Sequence, residues 1–448
     1  MNKSKFLSPA LIVIFITGVL CAWTAQAQAD KSKSINPEEK DQITNTVRAY
    51  FEARYRSFSK LEMESFEGLI DGSSKGFSFK SSEFKKLEIE LNHARYYHLR
   101  YLQYEYFLDF KDFLIDSFDE VATVSVVEGH DVEFEISREI SKAEPVISKM
   151  RNLLHSIELR KEDGTWKIVS DNYEDYLWRL MKTTGLSIEY LTQQDVNLQS
   201  QLPNSDEIMI EYTSCNLPED QSTYPYNRNG AVKYAHQYAT SPNTNYYYYP
   251  LGEGGDCTNF VSQAMHEGGG ALMIGSATYG WYYNDRYDHS PSWTHVKYLY
   301  DFIIEPGYSY WPAGPEGCDT VIDQTEKGDI IQYNWKENPP GTPDPNDEEW
   351  DHSVMIVLSQ YEPTYHWVAG HSPDVDGYPY THFIYTHPNM VYRFVHIVRL
   401  DAASLVKLPI VMNSESIMAN QMQNPYPAPV AVPIEASEPL TLSPYPAP

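Results

Sequence analysis

Three things are scarce in this sequence: cysteine, basic residues relative to acidic ones, and long hydrophobic runs after the first thirty residues. Its 448 residues include only four cysteines, too few for a scaffold built on disulfides. The 62 acidic residues outnumber the 34 basic ones and give a net charge of −28. A surface this negative repels phosphates, so nucleic-acid and anionic-membrane partners are not expected. No segment beyond the N-terminus has the roughly 20 apolar residues that a membrane span requires.

The apolar content, in contrast, is ample for a folded protein. Hydrophobic residues make up 42% and aromatic residues 14% of the chain, which excludes disorder throughout, because so much apolar material can bury a core. Domains usually run to roughly 100–200 residues, so this length predicts two or three of them. Sequence patterns divide the chain into five segments: 1–29, 30–175, 176–222, 223–402 and 403–448.

Residues 1–29 have the pattern of a secretory signal peptide. A lysine-bearing start precedes an apolar run over 11–20 and two overlapping Ala-x-Ala sites over 24–29. The pattern predicts a secreted protein, extracellular or associated with the cell wall, with no membrane span after signal removal. An uncleaved anchor and a lipoprotein anchor at Cys21 are the alternatives. The apolar run is shorter than a membrane span requires, which disfavours an uncleaved anchor. A lipidation site has a small residue before its cysteine, so the bulky Leu20 disfavours a lipoprotein anchor.

Residues 30–175 predict a smaller α+β module. Asn36 can cap a helix that has Pro37 in its first turn and apolar residues at helical spacing over 43–58. Segments rich in β-branched residues follow, and Glu-Asp-Gly at 162–164, between two apolar runs, is a hairpin signal. This order resembles the cystatin-like or NTF2-like architecture. Because no residue here offers catalytic chemistry, we expect a structural or docking role.

Two further segments carry fewer signals. Residues 176–222 read as a polar connector, with helical content expected around 173–182. Residues 403–448 are rich in Pro and Ala, and Pro-Tyr-Pro-Ala-Pro occurs twice, at 425–429 and 444–448. Such a segment is extended and cannot close a core, so we expect a disordered tail.

The chemistry is concentrated in residues 223–402, where the first feature is Cys257. Gly254 and Gly255 precede the run Asp-Cys-Thr-Asn-Phe-Val-Ser-Gln at 256–263, whose apolar residues fall at helical spacing. Cys257 is therefore expected in the first turn of a helix, where the dipole and the backbone N–H groups stabilise a thiolate and can bind an oxyanion. A buried cysteine that serves only as a small apolar side chain is the alternative.

A nucleophilic cysteine needs a base, and two histidines lie on predicted strands downstream. Strands are expected over 327–333, over 350–357 with His352 near its start, and over 365–371 with His371 at its end. A cysteine on a helix facing a histidine on a strand is the arrangement of papain-like folds. In antiparallel neighbouring strands His352 and His371 can sit side by side, and the sequence leaves their register open.

These motifs are similar to those of a putative amidase domain family of bacterial secreted proteins, which is related to the NlpC/P60 and CHAP cysteine peptidases. The similarity lies in four segments: 226–228 (Tyr-Asn-Arg), 256–263, 290–294 (Ser-Pro-Ser-Trp-Thr) and 328–329 (Gly-Asp). The resemblance implies an α+β fold whose C-terminal domain, residues 223–402, is papain-like and of the NlpC/P60 type.

The resemblance also implies roles for individual residues. Cys257 becomes the nucleophile and His352 the general base. His371 matches the polar residue on the following strand in the Cys-His-His version of the site, Asp374 competes for that role, and Asp256 is a further secondary candidate. The implied reaction is hydrolysis of an amide bond through a Cys thioester, with no metal and no cofactor. The expected substrate is a peptide or amide, with cell-wall peptides leading by family analogy.

Two other functions stay open on the sequence alone. A non-catalytic binding protein could keep the papain-like frame, and a transglutaminase-like acyltransferase would pass the acyl group to an amine instead of water. Cys21 leaves with the signal peptide, so three cysteines remain, and an odd number leaves one thiol outside any disulfide within the chain. A nucleophilic Cys257 accounts for that thiol, and Cys215 with Cys318 then forms a hypothetical disulfide.

Overall fold

The computed structural model describes most of the chain between residues 36 and 400. The described residues are 36–116, 118, 120–140, 145–173, 177, 187–199, 225–275, 280–304, 314–320, 322–334, 350–359, 366–383 and 391–400. The predictions that lie outside them concern the signal peptide 1–29, the tail 403–448, Cys215 and nearly all of the helical content expected around 173–182. No helix in the described part of the chain is long and apolar enough to cross a membrane.

Two long helices open the N-terminal module. Helix α1 (Pro37–Lys60) begins where the sequence predicted, and the side chain of Asn36 accepts a hydrogen bond from the Glu38 N–H at 3.1 Å. Helix α2 (Ser74–Tyr96), which the sequence analysis did not predict, is capped by the Ser73 hydroxyl. The buried face of α1 packs against the sheet that follows.

Four antiparallel strands complete this module, with a short helix α3 (Glu135–Ile140) after the second. They are β1 (Tyr101–Asp116), β2 (Val121–Phe134), β3 (Ile147–Glu162) and β4 (Thr165–Tyr173). The predicted hairpin is confirmed, because Asp163 and Gly164 link β3 to β4 with φ values of 50° and 78°. Alternate residues along most of β2 are buried, as expected of a strand with one face on the core.

The segment predicted as a connector contains a helix, α4 (Ile188–Gln199). Ile188 and Leu191 are buried, and Glu189 pairs with Lys85 of α2 at 3.0 Å. The described part of the connector therefore packs on the N-terminal module.

The C-terminal half consists of short elements. Its helices are α5 (Arg228–Tyr238), α6 (Cys257–Gln263), α7 (Pro291–Thr294) and α8 (Val296–Ile304). Its strands are β5 (Tyr283–Asp285), β6 (Asp288–His289), β7 (Pro315–Thr320), β8 (Ile330–Asn334), β9 (His352–Ser359), β10 (His366–Gly370), β11 (Asp374–Pro379) and β12 (Val391–Leu400). The three strands predicted around the histidines are β8, β9 and β10, although His371 lies one residue beyond β10.

The two halves share one antiparallel sheet. Within the described residues its ten strands run β1-β2-β3-β11-β10-β9-β8-β12-β7, with β4 beside β3. The junction is β3 against β11, where Asp374 pairs with Arg151 and Asp376 with Lys149. Helices packed on an antiparallel sheet confirm the α+β class. The segments 30–175 and 223–402 are thus joined by strand pairing as well as by the chain between them.

Candidate active site

Helix α6 begins at Cys257, so the cysteine lies in the first turn of a helix, as the sequence predicted. Gly254 and Gly255 precede it with φ values of 104° and 85°, a conformation that glycine adopts at no steric cost. The helix continues without a break as a π-helical turn over Ala264–Gly268. Cys257 carries a reduced thiol and is 5% exposed. The glycine turn and the helix therefore hold this thiol at their junction.

Polar residues of α6 fix the helix to its surroundings. Asn259 donates to the Asp256 carboxylate at 2.8 Å and accepts from Trp293 Nε1 at 2.7 Å. Ser262 donates to the Trp293 carbonyl at 2.9 Å and accepts from Trp281 Nε1 at 3.1 Å. All five residues are buried. Two of the segments that resemble the amidase family thus meet in one hydrogen-bonded unit.

The start of β9 lies against the start of α6. Thr258 Oγ1 donates to Ser353 Oγ at 3.3 Å, so the residues that follow Cys257 and His352 are in contact. Ser353 Oγ also accepts from Gln332 Nε2 at 3.2 Å. His352 is the first residue of β9 and is fully buried. The structure therefore brings together the segments that carry the predicted nucleophile and the predicted base.

His371 is bound from both sides. Its Nδ1 lies 2.5 Å from Asp256 Oδ2, and its Nε2 lies 2.9 Å from the carbonyl oxygen of Tyr238. Both partners are acceptors, so both ring nitrogens carry protons and His371 is an imidazolium. Burial opposes this charge, but the carboxylates of Asp374 and Asp256 outweigh burial and raise the pKa of His371 above its ordinary value. Neither ring nitrogen of His371 is left for a hydrogen bond with His352.

Asp374, the competing candidate, begins β11 and is fully buried. Its carboxylate accepts hydrogen bonds from the Tyr248 hydroxyl at 3.0 Å and from Asn152 Nδ2 at 2.6 Å. Burial raises the pKa of Asp374, while the charge of His371 and the two hydrogen bonds act in the opposite direction. The ring of Tyr248 lies 5.4 Å from that of His371. Asp374 therefore belongs to the same buried cluster as His371 and Asp256.

Two members of this cluster were missed by the sequence analysis. Ser372 Oγ accepts a hydrogen bond from the Asp256 N–H at 2.9 Å. Its position between His371 and Asp374 was the signal that could have found it. Asn152 offered no such signal, because it lies 222 residues before Asp374 in the chain.

The other two segments that resemble the amidase family also meet each other. Arg228 Nη1 pairs with Asp329 Oδ1 at 2.6 Å, and the Tyr226 hydroxyl donates to the Gly328 carbonyl at 3.1 Å. Asp329 is fully buried, so the guanidinium compensates a carboxylate that water cannot reach. These contacts hold the turn that leads into β8 against the start of α5, so their role is structural.

The cysteines differ in state. Cys318 in β7 is disulfide-bonded, whereas Cys257 is reduced. The predicted partner Cys215 lies outside the described residues, so the pairing of Cys215 with Cys318 stays a prediction. In the described ranges, no group of three or more His, Cys, Asp or Glu side chains is arranged to hold a metal ion.

A second buried cluster lies in the N-terminal module. His155 is hydrogen-bonded to Glu128 at 2.9 Å and to Asp171 at 3.0 Å. Burial opposes protonation of His155, but the carboxylates of Asp171 and Glu128 outweigh it and raise the pKa of His155 to about 9. This cluster was not predicted from the sequence, because its three residues come together only through the pairing of β2, β3 and β4.

This cluster extends to the C-terminal half. The Tyr55 hydroxyl lies 2.6 Å from both Glu128 Oε1 and His130 Nδ1, and His130 Nε2 contacts the Tyr378 hydroxyl of β11. A cavity of about 100 Å³ lies alongside and is lined by Tyr55, Glu128, His130 and Tyr378 among others. A hydrogen-bonded chain thus runs from the core of the N-terminal module to the strand that follows the candidate active site.

Comparisons with known proteins place a match on the same region. Residues 225–395 match the family described as "Putative amidase domain". The "Uncharacterized protein YjcM" of Bacillus subtilis (strain 168) is 29% identical over 143 residues, which cover 31% of this chain and 28% of that protein. The chain thus spans less than a third of the length of that relative. No solved structure matches. The region from α5 into β12 is therefore similar to an amidase domain, which supports a hydrolase that acts on amide bonds.

Proposed function

We propose that this protein is a secreted, cysteine-dependent amidase or peptidase, with Cys257 as the nucleophile and His352 as the general base. The observation that carries the proposal is the contact of Thr258 with Ser353, which puts the start of α6 against the start of β9. The match of residues 225–395 to an amidase domain supports the reaction class. A cysteine at a helix start, in a segment that contacts the start of a strand carrying a histidine, also supports a papain-like fold of the NlpC/P60 type.

The chemistry needs one proton shuttle and one oxyanion site. His352 takes the proton of the Cys257 thiol, and the thiolate attacks the carbonyl carbon of the amide. Backbone N–H groups at the start of α6 stabilise the oxyanion. His352 then protonates the leaving amine, which leaves a thioester on Cys257. Water, deprotonated by His352, hydrolyses this thioester, releases the acid and restores the thiol.

His371 has a different task in this proposal, because it acts through Asp256. Asp256 directly precedes Cys257, and its carboxylate is 1% exposed. An uncompensated carboxylate beside the thiol would oppose formation of a thiolate. The imidazolium of His371 supplies the compensating charge and also ties the turn before α6 to the end of β10. His371 is thus a positioning residue, whereas Cys257 and His352 touch the substrate.

The substrate that we propose is a peptide amide of the bacterial cell wall. The signal-peptide pattern of residues 1–29 supports export, and the resemblance to a family of bacterial secreted proteins supports a substrate outside the cytoplasmic membrane. The net charge of −28 disfavours polyanionic substrates but does not itself select a peptide.

Mass spectrometry of purified peptidoglycan fragments, incubated with the secreted protein, tests the function. We expect new carboxyl and amine termini with the wild type, and none with Cys257→Ala or His352→Ala. His295→Gln is the matched control, because His295 is exposed and lies in the same amidase-like region. Peptidoglycan fragments that stay intact with the wild type as well as with the variants would contradict the proposal of a cell-wall substrate.

Two further measurements separate the competing functions. An added amine that appears covalently attached to the product would indicate an acyltransferase instead of a hydrolase. Iodoacetamide that labels Cys257 no faster than a simple thiol, together with unchanged activity of Cys257→Ala on every amide offered, would contradict the cysteine mechanism and favour a binding protein.

A further inference from the structure

Strand β3 contains an irregularity at Arg151 and Asn152. On the facing strand β2, Glu128 pairs with Leu153 and His130 with Met150, so only Gly129 faces two residues of β3. This is a β-bulge, in which one extra residue bends the strand and turns its side chain in a new direction. Asn152 has φ of +62°, a left-handed conformation that asparagine tolerates better than most residues.

The bulge is built into both strands. A Cβ atom at Gly129 would lie 2.9 Å from Cδ of Arg151 and 3.1 Å from the Met150 carbonyl oxygen, so a side chain opposite the bulge would require these neighbours to shift. Strand β3 also changes its partner here. Residues Lys149 to Arg151 pair with β11, and residues from His155 onward pair with β4. The bulge therefore marks the place where the N-terminal module meets the amidase-like region.

At this place Asn152 turns towards the candidate active site. Its Nδ2 donates to Asp374 Oδ2 at 2.6 Å, while the Tyr248 hydroxyl donates to the other oxygen at 3.0 Å. Asp374 is fully buried, so these donors replace the water that its carboxylate has lost. Tyr248 is followed by Tyr249, whose N–H donates to Asp256 Oδ1 at 2.9 Å. Asn152 thus connects, through three hydrogen bonds, to the residue that precedes Cys257.

We propose that Asn152, a residue of the N-terminal module, is a positioning residue of the amidase site that acts through Asp374 and Tyr248 on the turn before Cys257. The left-handed conformation, the bulge and the glycine opposite it serve to direct one amide side chain at one buried carboxylate. The N-terminal module is then a working part of the amidase and completes the support of its nucleophile. This inference rests on the proposed function, in which Cys257 is the nucleophile of an amidase. Its first test measures the reactivity of Cys257 and needs no substrate.

The test is the rate at which iodoacetamide alkylates Cys257 in the full secreted chain, followed by peptide mass spectrometry. Asn152→Asp sets a second carboxylate against Asp374, and Asn152→Gly removes the side chain but keeps the left-handed backbone accessible. We expect both to slow alkylation by about tenfold, the factor that corresponds to one lost hydrogen bond to a charged group. The exchanged double variant Asn152→Asp/Asp374→Asn can restore both hydrogen bonds and should recover most of the rate.

Asn172→Asp is the matched control, because it makes the same change at an exposed position of β4 and should alkylate as the wild type does. With a substrate in hand, kcat should fall in Asn152→Gly while KM is unchanged. Wild-type alkylation in Asn152→Gly, or no recovery in the exchanged variant, would overturn the assignment. A protein that lacks amidase activity, yet in which the alkylation of Cys257 still depends on Asn152, would refute the proposed function and leave this positioning role standing.

Discussion

Thr258 and Ser353 share a hydrogen bond of 3.3 Å, and each directly follows a member of the proposed catalytic pair. Both hydroxyls are buried, and Ser353 is held from a third element by Gln332 of β8. Helix α6 and strand β9 also pack against each other, so this hydrogen bond helps to fix how the cysteine segment lies relative to the histidine segment. This hydrogen bond is therefore the contact on which the proposed pairing of Cys257 with His352 rests.

We expect Thr258→Val to lower the free energy of unfolding by about 1 kcal/mol and to lower kcat with little change in KM. Valine keeps the shape of threonine but lacks the hydroxyl that donates to Ser353 and lies 3.7 Å from Cys257 Sγ, so buried hydrogen bonding is lost at both partners. Denaturant unfolding and steady-state kinetics check the two effects. Thr165→Val, at an exposed position that begins β4, is the control and should leave both quantities near the wild-type values. An unchanged kcat in Thr258→Val would show that the contact has no part in catalysis.

The ion pair of His371 with Asp256 should be strongly coupled. His371→Gln leaves the Asp256 carboxylate buried without its counter-charge, which typically costs about 3–5 kcal/mol. In the double variant His371→Gln/Asp256→Asn the Asp256 charge is gone together with its partner, so the unfolding free energy should exceed the value that adding the two single effects predicts. A double-mutant cycle by urea unfolding measures this. Additive effects would mean that the 2.5 Å contact contributes no interaction energy.

The stability of the N-terminal module should depend on pH through His155. Burial opposes its charge, but Asp171 and Glu128 raise the pKa of His155 to about 9, above the ordinary value near 6.5. A raised pKa stabilises the folded state fully below the ordinary value, and this contribution is lost as pH rises through the raised value. Between about pH 6 and pH 10 the free energy of unfolding should therefore fall by on the order of 3 kcal/mol.

The measurement for His155 is urea unfolding across that pH range. The double variant His155→Gln/Asp171→Asn removes the titrating ring together with one of the carboxylates that it compensates, and its unfolding free energy should fall less steeply with pH. His98→Asn, at an exposed histidine of the same module, should keep the slope of the wild type. Equal slopes in the double variant and the wild type would contradict the assignment of this pH dependence to His155.

Gly268, at the end of the π-helical turn, should not tolerate a side chain. A Cβ atom there would lie 2.7 Å from the Cα of Ala231 in α5 and would also meet the carbonyl oxygen of Gly230. We expect Gly268→Ala to destabilise the protein by about 1–3 kcal/mol through this overpacking. Gly252→Ala is the control, because a Cβ atom at Gly252 meets nothing within 4 Å. Equal melting temperatures of the two variants would refute the close approach of α5 to this turn.

Local signals in the sequence were sufficient for part of this structure. The cap at Asn36, the Asp163-Gly164 turn and the position of Cys257 in the first turn of a helix were all predicted, because each depends on neighbours within a few residues. The long helix α2, which Ser73 caps, was not predicted. Helical content in the connector 176–222 was expected around 173–182, and helix α4, which lies further along it, was not predicted.

The contacts within the candidate site depend on strand register and on residues far apart in sequence, which local patterns do not contain. Cys257, His352, His371, Asp374 and Asp256 were all named from motifs. The ion pair of His371 with Asp256 was not foreseen, because it requires the end of β10 to meet the turn before α6. The reach of Asn152 to Asp374 depends on the pairing of β3 with β11, which no motif encodes.

The pairing of β3 with β11 also has a consequence for solubility. With β3 in place, the N–H and C=O groups along one side of β11 are used within the sheet. A chain shortened to residues 223–402 would present that side of β11 to solvent as an open edge, and open edges recruit strands from other molecules. Aggregation of such a fragment would reflect the loss of β3 as the partner of β11. It would not test whether Cys257 and His352 are the catalytic residues.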